Sequence, residues 1–346
     1  MKKSAAKRIF NILFLIVVFA LTVWSVFGGK DLEQMVEHIT TANWSYIIPA
    51  IACVLGFILG ESLILYYLLR TFGAEVKMSH CCLYSFIGFF YSCITPSASG
   101  GQPMQIIAMR KDKIPVAVSS VVLVVVTIIY KLVLVLIGGA VMLIRPVSLM
   151  PYLEPVAPII YLGMALNVVC IAILLMLLFM PNLVRWFALK CLAIINRIRP
   201  LKNLQMQKER IDRVVNQYKA AANFFRTHLF VVLNVFVITF AQRLALFFVT
   251  WFTYRSFAMS SYSAPVVVSL QAMISVATDM MPLPGGMGIS ENMFLDIFQP
   301  IFGEKLVLPG MVISRGLSYY TQLLISGAMT VVAMFILREK KEKGTQ

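Results

Sequence analysis

The sequence is poor in charge and lacks the short motifs that carry common enzyme chemistry. Only 13% of its 346 residues are Asp, Glu, Lys or Arg, whereas 60% are hydrophobic. It contains no Walker A motif, no His-Glu-x-x-His and no Cys-x-x-Cys, so neither nucleotide-driven transport nor a metal site is indicated. We therefore assign no catalytic residue, no metal and no cofactor. The sequence has too few polar residues to form the surface of a soluble globular protein, so the composition predicts a polytopic membrane protein.

Apolar runs long enough to cross a bilayer, roughly 20 residues each, occur about six times. They cover residues 9–28, 44–69, 116–144, 156–180, 229–254 and 308–337. The first run follows four basic residues, as in a signal peptide, but it is long and no small-residue cleavage site follows it, so we interpret it as a retained anchor. The sequence thus predicts an all-α fold in which residues 1–346 form one transmembrane domain.

Basic residues are distributed unevenly between the predicted loops. With a cytoplasmic N-terminus, the inner segments hold most of them, including ten Lys or Arg between Arg185 and Arg226. The outer loops hold only Lys30, Arg145, Arg255 and Lys305. This asymmetry follows the positive-inside rule and places both termini in the cytoplasm. It also accounts for the net charge of +15, so no nucleic-acid partner is needed.

The basic segment 181–228 has two interpretations. We prefer an ordinary positive-inside loop, because the charge bias alone predicts one. The alternative is an amphipathic element that rests on anionic cytoplasmic headgroups.

Two glycine-rich interruptions lie inside apolar sequence, TPSASGGQP at 95–103 and PLPGGMG at 282–288. Non-helical backbone leaves polar groups that lipid cannot satisfy, so such breaks line a polar cavity or are buried in protein. In the predicted topology, residues 78–110 enter and leave from the cytoplasmic face, whereas residues 263–301 enter and leave from the outer face. Two oppositely oriented re-entrant hairpins are typical of an inverted-repeat transporter.

Charged residues inside the apolar sequence follow a similar layout in the two halves. Lys131 comes 31 residues after Gly100, and Arg315 comes 30 residues after Gly285. The spans before the hairpins are interrupted by Glu61 and Arg243. Apart from Gly-Gly and a few prolines, the two halves share little sequence identity. The internal repeat therefore lies in the order and spacing of the elements rather than in the sequence.

Charge at membrane depth is costly, and such residues are expected to face the bundle interior and to pair. Arg243 and Arg315 are the strongest candidates for binding an anionic headgroup, since a guanidinium offers a fork of donors that suits phosphate. The alternative is structural, with these arginines paired to Asp279 or Glu291. Long charged side chains such as Glu61 and Lys131 also reach an interface from within a span.

The helices that follow the two breaks are expected to supply partial positive charge from the backbone N–H groups at their N-termini. Pro103 suits the first residue of a helix, and Ser290 is placed to cap a helix that begins at Glu291. Half-helix N-termini aimed at the membrane interior attract anions. The candidate substrate site therefore comprises Glu61, Gly100, Gly101, Gln102, Lys131, Arg243, Asp279, Gly285, Gly286, Ser290, Glu291 and Arg315.

Three segments carry a resemblance to a known family: PSASGGQP at 96–103, PGGMGISE at 284–291 and RGLSYY at 315–320. They resemble the signature motifs of the lysylphosphatidylglycerol synthase transmembrane family, which includes the membrane half of the bacterial multiple peptide resistance factor. The resemblance implies a lipid translocase fold with re-entrant helices in the bacterial cytoplasmic membrane, and it adds Tyr319 to the candidate site.

In the full-length resistance factor, a soluble C-terminal domain transfers lysine from lysyl-tRNA to phosphatidylglycerol, and the membrane domain moves the product to the outer leaflet. Only residues 338–346 follow the last predicted span. We therefore expect no synthase activity from this chain.

These observations favour a flippase-like protein that moves an anionic or aminoacylated phospholipid between leaflets. Two alternatives stay open: a secondary transporter of a small anion, and a membrane-embedded lipid transferase such as a phosphatidylglycerol lysyltransferase. Membrane phospholipids are the expected partners, and two further partners also stay open, a second copy of the chain and a separate lipid-synthesising enzyme.

Cysteine labelling tests the predicted topology. Cysteines introduced at both termini and within 185–226 should react only with a reagent on the cytoplasmic side, whereas cysteines at Ser97 and Gly285 should react from opposite sides. Labelling of both break positions from one side only would contradict the inverted arrangement.

Overall fold

The computed structural model describes residues 32–198 and 204–337, and all regular elements within these ranges are helical. The predicted first span, 9–28, lies outside the described residues. The α-helices are α1 (Leu32–Thr41), α2 (Ile47–Thr71), α3 (Met78–Cys93), α4 (Gly101–Lys111), α5 (Val116–Ile144), α6 (Met150–Leu153), α7 (Ala157–Phe179), α8 (Pro181–Ile198), α9 (Leu204–Thr227), α10 (Leu229–Ser256), α11 (Ala264–Thr278), α12 (Ile289–Arg315) and α13 (Gln322–Ile336).

Five helical segments are long and apolar enough to cross a membrane, which confirms an all-α polytopic membrane protein. They are Trp44–Thr71, Val116–Ile144, Met150–Phe179, Leu229–Ser256 and Ile289–Ile336. Each coincides with a predicted span, but the last begins earlier than predicted, because α12 starts at Ile289 and continues across a kink at Gly303. A π-helical turn, Gly316–Thr321, joins α12 to α13. Helices satisfy their backbone groups internally, which is the requirement that lipid imposes.

The first predicted hairpin is a pair of helices, α3 and α4, separated by residues 94–100, which we call the first break. Ser97 and Ala98 adopt positive φ angles of 50° and 54° in this break. The two arms approach so closely that a Cβ on Gly101 would lie 2.7 Å from the carbonyl oxygen of Gly88. Glycine is required here because no larger residue fits between the arms.

At the other end of this hairpin, Asp112 joins the arms. Its carboxylate lies 2.7 Å from Nδ1 of His80 and also accepts a hydrogen bond from the Tyr84 hydroxyl. The hairpin is therefore closed by polar contacts at its base and by backbone contact near its tip.

The second predicted hairpin is formed by α11 and the first part of α12, separated by residues 279–288, which we call the second break. Gly285, Gly286 and Gly288 have φ angles between 58° and 83°, a region that residues with a side chain rarely adopt. Helix α12 kinks at Gly303, where φ is 76°. The kink separates the predicted hairpin, 263–301, from the predicted last span.

The two breaks contact each other. Pro96 and Pro284 form an isolated antiparallel backbone bridge, and the Ser97 hydroxyl donates to the carbonyl oxygen of Met281 at 3.3 Å. Each hairpin also packs in a different apolar cluster, one built mainly from α2, α3, α4 and α5 and the other mainly from α6, α7, α11 and α12, and helices α5, α7 and α10 contribute to both. The orientation of the hairpins relative to a membrane stays a prediction.

Within the basic segment 181–228, the described residues fold as two helices, α8 and α9. The predicted positive-inside loop therefore contains regular structure, and its position on the cytoplasmic side stays a prediction. Runs of Leu, Ala, Gln, Glu and Lys favour helix. Arg185 joins the two helices by donating from Nε to Asp212 Oδ1 at 2.6 Å, and these hydrogen bonds lower the pKa of the Asp212 carboxyl below its ordinary value. Whether this helix pair rests on anionic headgroups stays a prediction.

The contact between the breaks predicts a disulfide. In a version with the six native cysteines replaced, Pro96→Cys combined with Pro284→Cys should oxidise readily, because bridged antiparallel residues lie about 4.5–5.5 Å apart at Cα, within disulfide range. Non-reducing electrophoresis after protease cleavage between the two positions detects the link.

The matched control pairs Pro96→Cys with Pro265→Cys, which lies at the far end of α11, about 20 Å along that helix from the second break. The observed contact would be contradicted if both cysteine pairs oxidised equally, or if neither pair oxidised.

Candidate functional site

The charged side chains around the two breaks form two ion pairs and leave two residues unpaired. Lys131 Nζ lies 2.7 Å from Asp279 Oδ2, and Arg315 Nε lies 2.8 Å from Glu291 Oε1. Glu61 and Arg243 are the remaining two. Neither is within 4.0 Å of an opposite charge among the described residues.

The Lys131–Asp279 pair holds the start of the second break against α5 and α7. Lys131 is 7% exposed and also donates to Asn167 Oδ1 at 3.3 Å. The Tyr130 hydroxyl donates to the other oxygen of Asp279 at 2.6 Å. A buried pair with this many hydrogen bonds is satisfied by the protein itself.

The Arg315–Glu291 pair holds the end of the second break. Arg315 Nη2 donates to the carbonyl oxygen of Gly285 at 3.0 Å. Glu291 Oε2 accepts from the backbone N–H of Gly288 at 2.7 Å and from the Ser290 hydroxyl at 3.2 Å. The N-terminus of α12 thus already holds an anion, the carboxylate of its own third residue.

The helix starts differ from those predicted at both breaks. Helix α12 begins at Ile289 with Gly288 before it, because the Glu291 carboxylate rather than Ser290 caps the end. Helix α4 begins at Gly101, two residues before Pro103. A proline is tolerated there because N–H groups in the first turn have no intrahelical partner.

Tyr319 links the two breaks. Its hydroxyl donates to the carbonyl oxygen of Cys93 at 2.9 Å, and its ring lies where a Cβ of Gly285 would be, 2.5 Å from the Cζ atom. A cysteine at Gly285 would collide with this ring, so exposed Pro282 is the better position for labelling the second break.

Helix α4, which follows the first break, contributes amide side chains to the site. The Gly100 N–H donates to Thr95 Oγ1 at 2.8 Å, and the Gln102 amide donates to Thr127 Oγ1. The amide of Gln105, which the sequence analysis missed, donates to Glu61 Oε1 at 3.4 Å.

Arg243 is the exception among the buried cations. It is 5% exposed, and its guanidinium carbon lies 3.3 Å from the centroid of the Tyr130 ring and 5.1 Å from that of Phe57. Its Nε is buried and has no hydrogen-bond acceptor among the described residues. A buried donor without an acceptor is costly, so the Nε–H of Arg243 is a donor that the described residues leave unsatisfied.

Tyr130 brings Arg243 close to the second break, since its ring contacts Arg243 and its hydroxyl binds Asp279. No contact among the described residues joins Arg243 to Arg315, so a single site containing both stays a prediction. The contacts of Arg315 fit the structural alternative instead. Tyr130, Asn167 and Gln242 were missed by sequence reasoning, although a polar residue inside an apolar span is itself a usable signal.

The chemistry that this arrangement supports is anion binding. A guanidinium stacked on an aromatic ring keeps its N–H donors in one plane, which suits a phosphate. The described residues contain no group of three His, Cys, Asp or Glu side chains that could hold a metal ion.

Comparison with known proteins identifies one matching protein family. A family model described as the lysylphosphatidylglycerol synthase TM region matches residues 11–326. The match includes both hairpins and every residue of the candidate site. No curated protein matches the chain.

The Arg315 contacts predict a structural defect on truncation. Arg315→Ala should destabilise the protein by about 3–5 kcal/mol, because it leaves the 4%-exposed Glu291 carboxylate without its cation. Thermal unfolding in detergent measures the loss.

The double variant Arg315→Ala with Glu291→Gln removes both charges and should recover much of the lost stability. If Arg315→Ala unfolds at the same temperature as the wild type, the structural interpretation of Arg315 is wrong, and substrate binding is then the better interpretation of this residue.

Proposed function

The chain belongs to the lysylphosphatidylglycerol synthase transmembrane family, a family of membrane-lipid proteins, and from this membership and the site above we propose that it moves a phospholipid between the two leaflets. The proposed substrate is an anionic or aminoacylated phospholipid. These lipids share a phosphodiester, and the phosphate is the group that the site is proposed to bind.

The observation that carries the proposal is the unpaired guanidinium of Arg243. Of the cations near the breaks, buried Lys131 and partly buried Arg315 are neutralised by Asp279 and Glu291. Arg243 has aromatic rings on its flanks and no acceptor for Nε. A phosphate oxygen would satisfy that donor and neutralise the charge in one contact.

The two breaks support movement as well as binding. The contact between the hairpins includes one backbone bridge, the Ser97 hydrogen bond, the Tyr319 hydrogen bond and a small apolar cluster of Cys93, Met287 and Tyr319. This contact is small beside the two apolar clusters in which the hairpins pack, so we infer that it opens while most of each cluster stays intact. Rigid movement of one repeat against the other around a central site is how inverted-repeat transporters alternate access.

A small anion is the second candidate, because a guanidinium would also bind free phosphate. The site gives no reason to favour it over a lipid headgroup, so the experiment separates the two. A transferase is not proposed, because the carboxylates that accept from hydroxyl groups at the site are held by cations. Glu291, which accepts from Ser290, is paired with Arg315, and Asp279, which accepts from Tyr130, is paired with Lys131.

Arg243 variants in reconstituted vesicles test the proposal. Arg243→Ala should slow translocation of fluorescent phosphatidylglycerol at least about tenfold, because a hydrogen bond to a charged group contributes about 1.5–3 kcal/mol. Arg243→Lys should also be impaired, since an ammonium lacks the planar fork of donors. Accessibility of the fluorophore to an external quencher reports translocation.

Arg255→Ala is the matched control, because Arg255 lies on the same helix but contacts Tyr46 and Trp251 near its end. It should translocate lipid like the wild type. Wild-type activity in Arg243→Ala would remove this residue from the site, and uptake of inorganic phosphate without lipid movement would favour the small-anion transporter.

A further inference from the structure

Glu61 is a carboxylate in the membrane-spanning region without a cationic partner. Its Oε1 accepts from the Gln105 amide at 3.4 Å, a long contact. The other two carboxylates beside the breaks, Asp279 and Glu291, each have a cation within 2.8 Å. Glu61 is therefore the carboxylate at the site whose charge is least satisfied.

The groups facing Glu61 come from three neighbouring helices. Helix α10 presents Arg243 and Gln242, α4 presents Gln105, and α5 presents Tyr130. Arg243 is near enough to act on Glu61 electrostatically but lies beyond ion-pair distance. Helices α2 and α10 are already tightly packed here, since a Cβ on Gly60 would lie 3.0 Å from Gln242. The helix backbones of α2 and α10 are therefore in close contact, and the separation between the Glu61 carboxylate and the Arg243 guanidinium is set by the conformations of these two side chains.

We propose that Glu61 is a proton-binding site, and that it takes up a proton when an anion occupies Arg243. The inference rests on the proposed function, because the anion is the lipid phosphate. Without it, Glu61 and Arg243 carry charges of opposite sign that cancel. An anionic phospholipid, whose headgroup carries one phosphate charge and no amine, leaves one uncompensated anion at the site, where net charge within a membrane span is unfavourable.

Protonation of Glu61 removes that excess. A proton from water binds one carboxylate oxygen and forms an O–H bond, and the proton returns to water when the headgroup leaves. Gln105 accommodates both states, because a carboxamide donates through its nitrogen to a carboxylate and accepts through its oxygen from a carboxylic acid after a flip. Lys131–Asp279 and Arg315–Glu291 are each neutral pairs, so neither replaces Glu61 in this balance.

Binding calorimetry of the purified full-length protein tests the coupling. Short-chain phosphatidylglycerol is titrated in pairs of buffers with different ionisation enthalpies, at several pH values between about 5 and 9, a range wide enough to include a shifted carboxyl. The dependence of the heat on the buffer gives the number of protons taken up. The wild type should take up about one proton per lipid at some pH in this range, and its affinity should there rise up to about tenfold per unit fall in pH.

Glu61→Gln should show no proton uptake and an affinity that no longer changes with pH, whereas Glu61→Asp keeps an ionisable group and should retain uptake. Thermal unfolding of each variant checks that it is folded. If Glu61→Gln does not fold, the wild-type titration still decides, because lipid binding without proton uptake across the whole range overturns the proposal.

Proton uptake that persists in folded Glu61→Gln also overturns it, since the proton then binds elsewhere. Failure of the proposed function looks different. In that case the wild type does not bind the lipid, or Arg243→Ala binds it equally well. A parallel titration with inorganic phosphate shows whether the site takes a free anion instead.

Discussion

The contact between the two breaks is the interaction on which the charged interior of this protein depends. Each break interrupts a helix, and non-helical backbone at membrane depth needs partners from the protein. Here each break supplies partners to the other, through the bridge between Pro96 and Pro284 and the Ser97 hydrogen bond. Tyr319 adds a third link to the first hairpin. Because the second break is held in this way, Asp279 at its start and the Gly285 carbonyl at its end are presented to Lys131 and Arg315.

Arg243 differs from Lys131 and Arg315, because these two cations are paired with carboxylates and Arg243, among the described residues, is not. A buried cation is costly unless it is paired, and the protein meets that requirement for Lys131 and Arg315 with short ion pairs. For Arg243 it supplies aromatic faces and a carboxylate, Glu61, beyond pairing distance. The face of Tyr130 stabilises the cation but gives Nε no acceptor. A lipid phosphate would complete this set, and the same phosphate would disturb the balance with Glu61, so binding and proton uptake would share one electrostatic cause.

Much of this organisation could be predicted from the sequence, because it follows from composition and local pattern. The spans after residue 43 and both breaks follow from apolar length and from Gly and Pro. The partners of the charges could not be predicted in this way, because choosing between Asp279 and Glu291 for Arg315 needs the three-dimensional path of the second break. The start of α12 was misplaced since Glu291, not Ser290, caps it. Tyr130 was missed because an aromatic residue in a span usually indicates packing, and only its contacts with Arg243 and Asp279 reveal a second role.

The most direct test of this account is a measurement of the contact between the Arg243 guanidinium and a lipid phosphate. Solid-state NMR on protein with ¹⁵N-labelled arginine side chains in phosphatidylglycerol bilayers reports dipolar coupling between guanidinium nitrogens and ³¹P. The account predicts a coupled arginine signal that disappears in Arg243→Lys and persists in Arg255→Lys. Absence of any such coupling in the wild type, or its persistence in Arg243→Lys, would contradict the assignment of Arg243 as the residue that binds the headgroup.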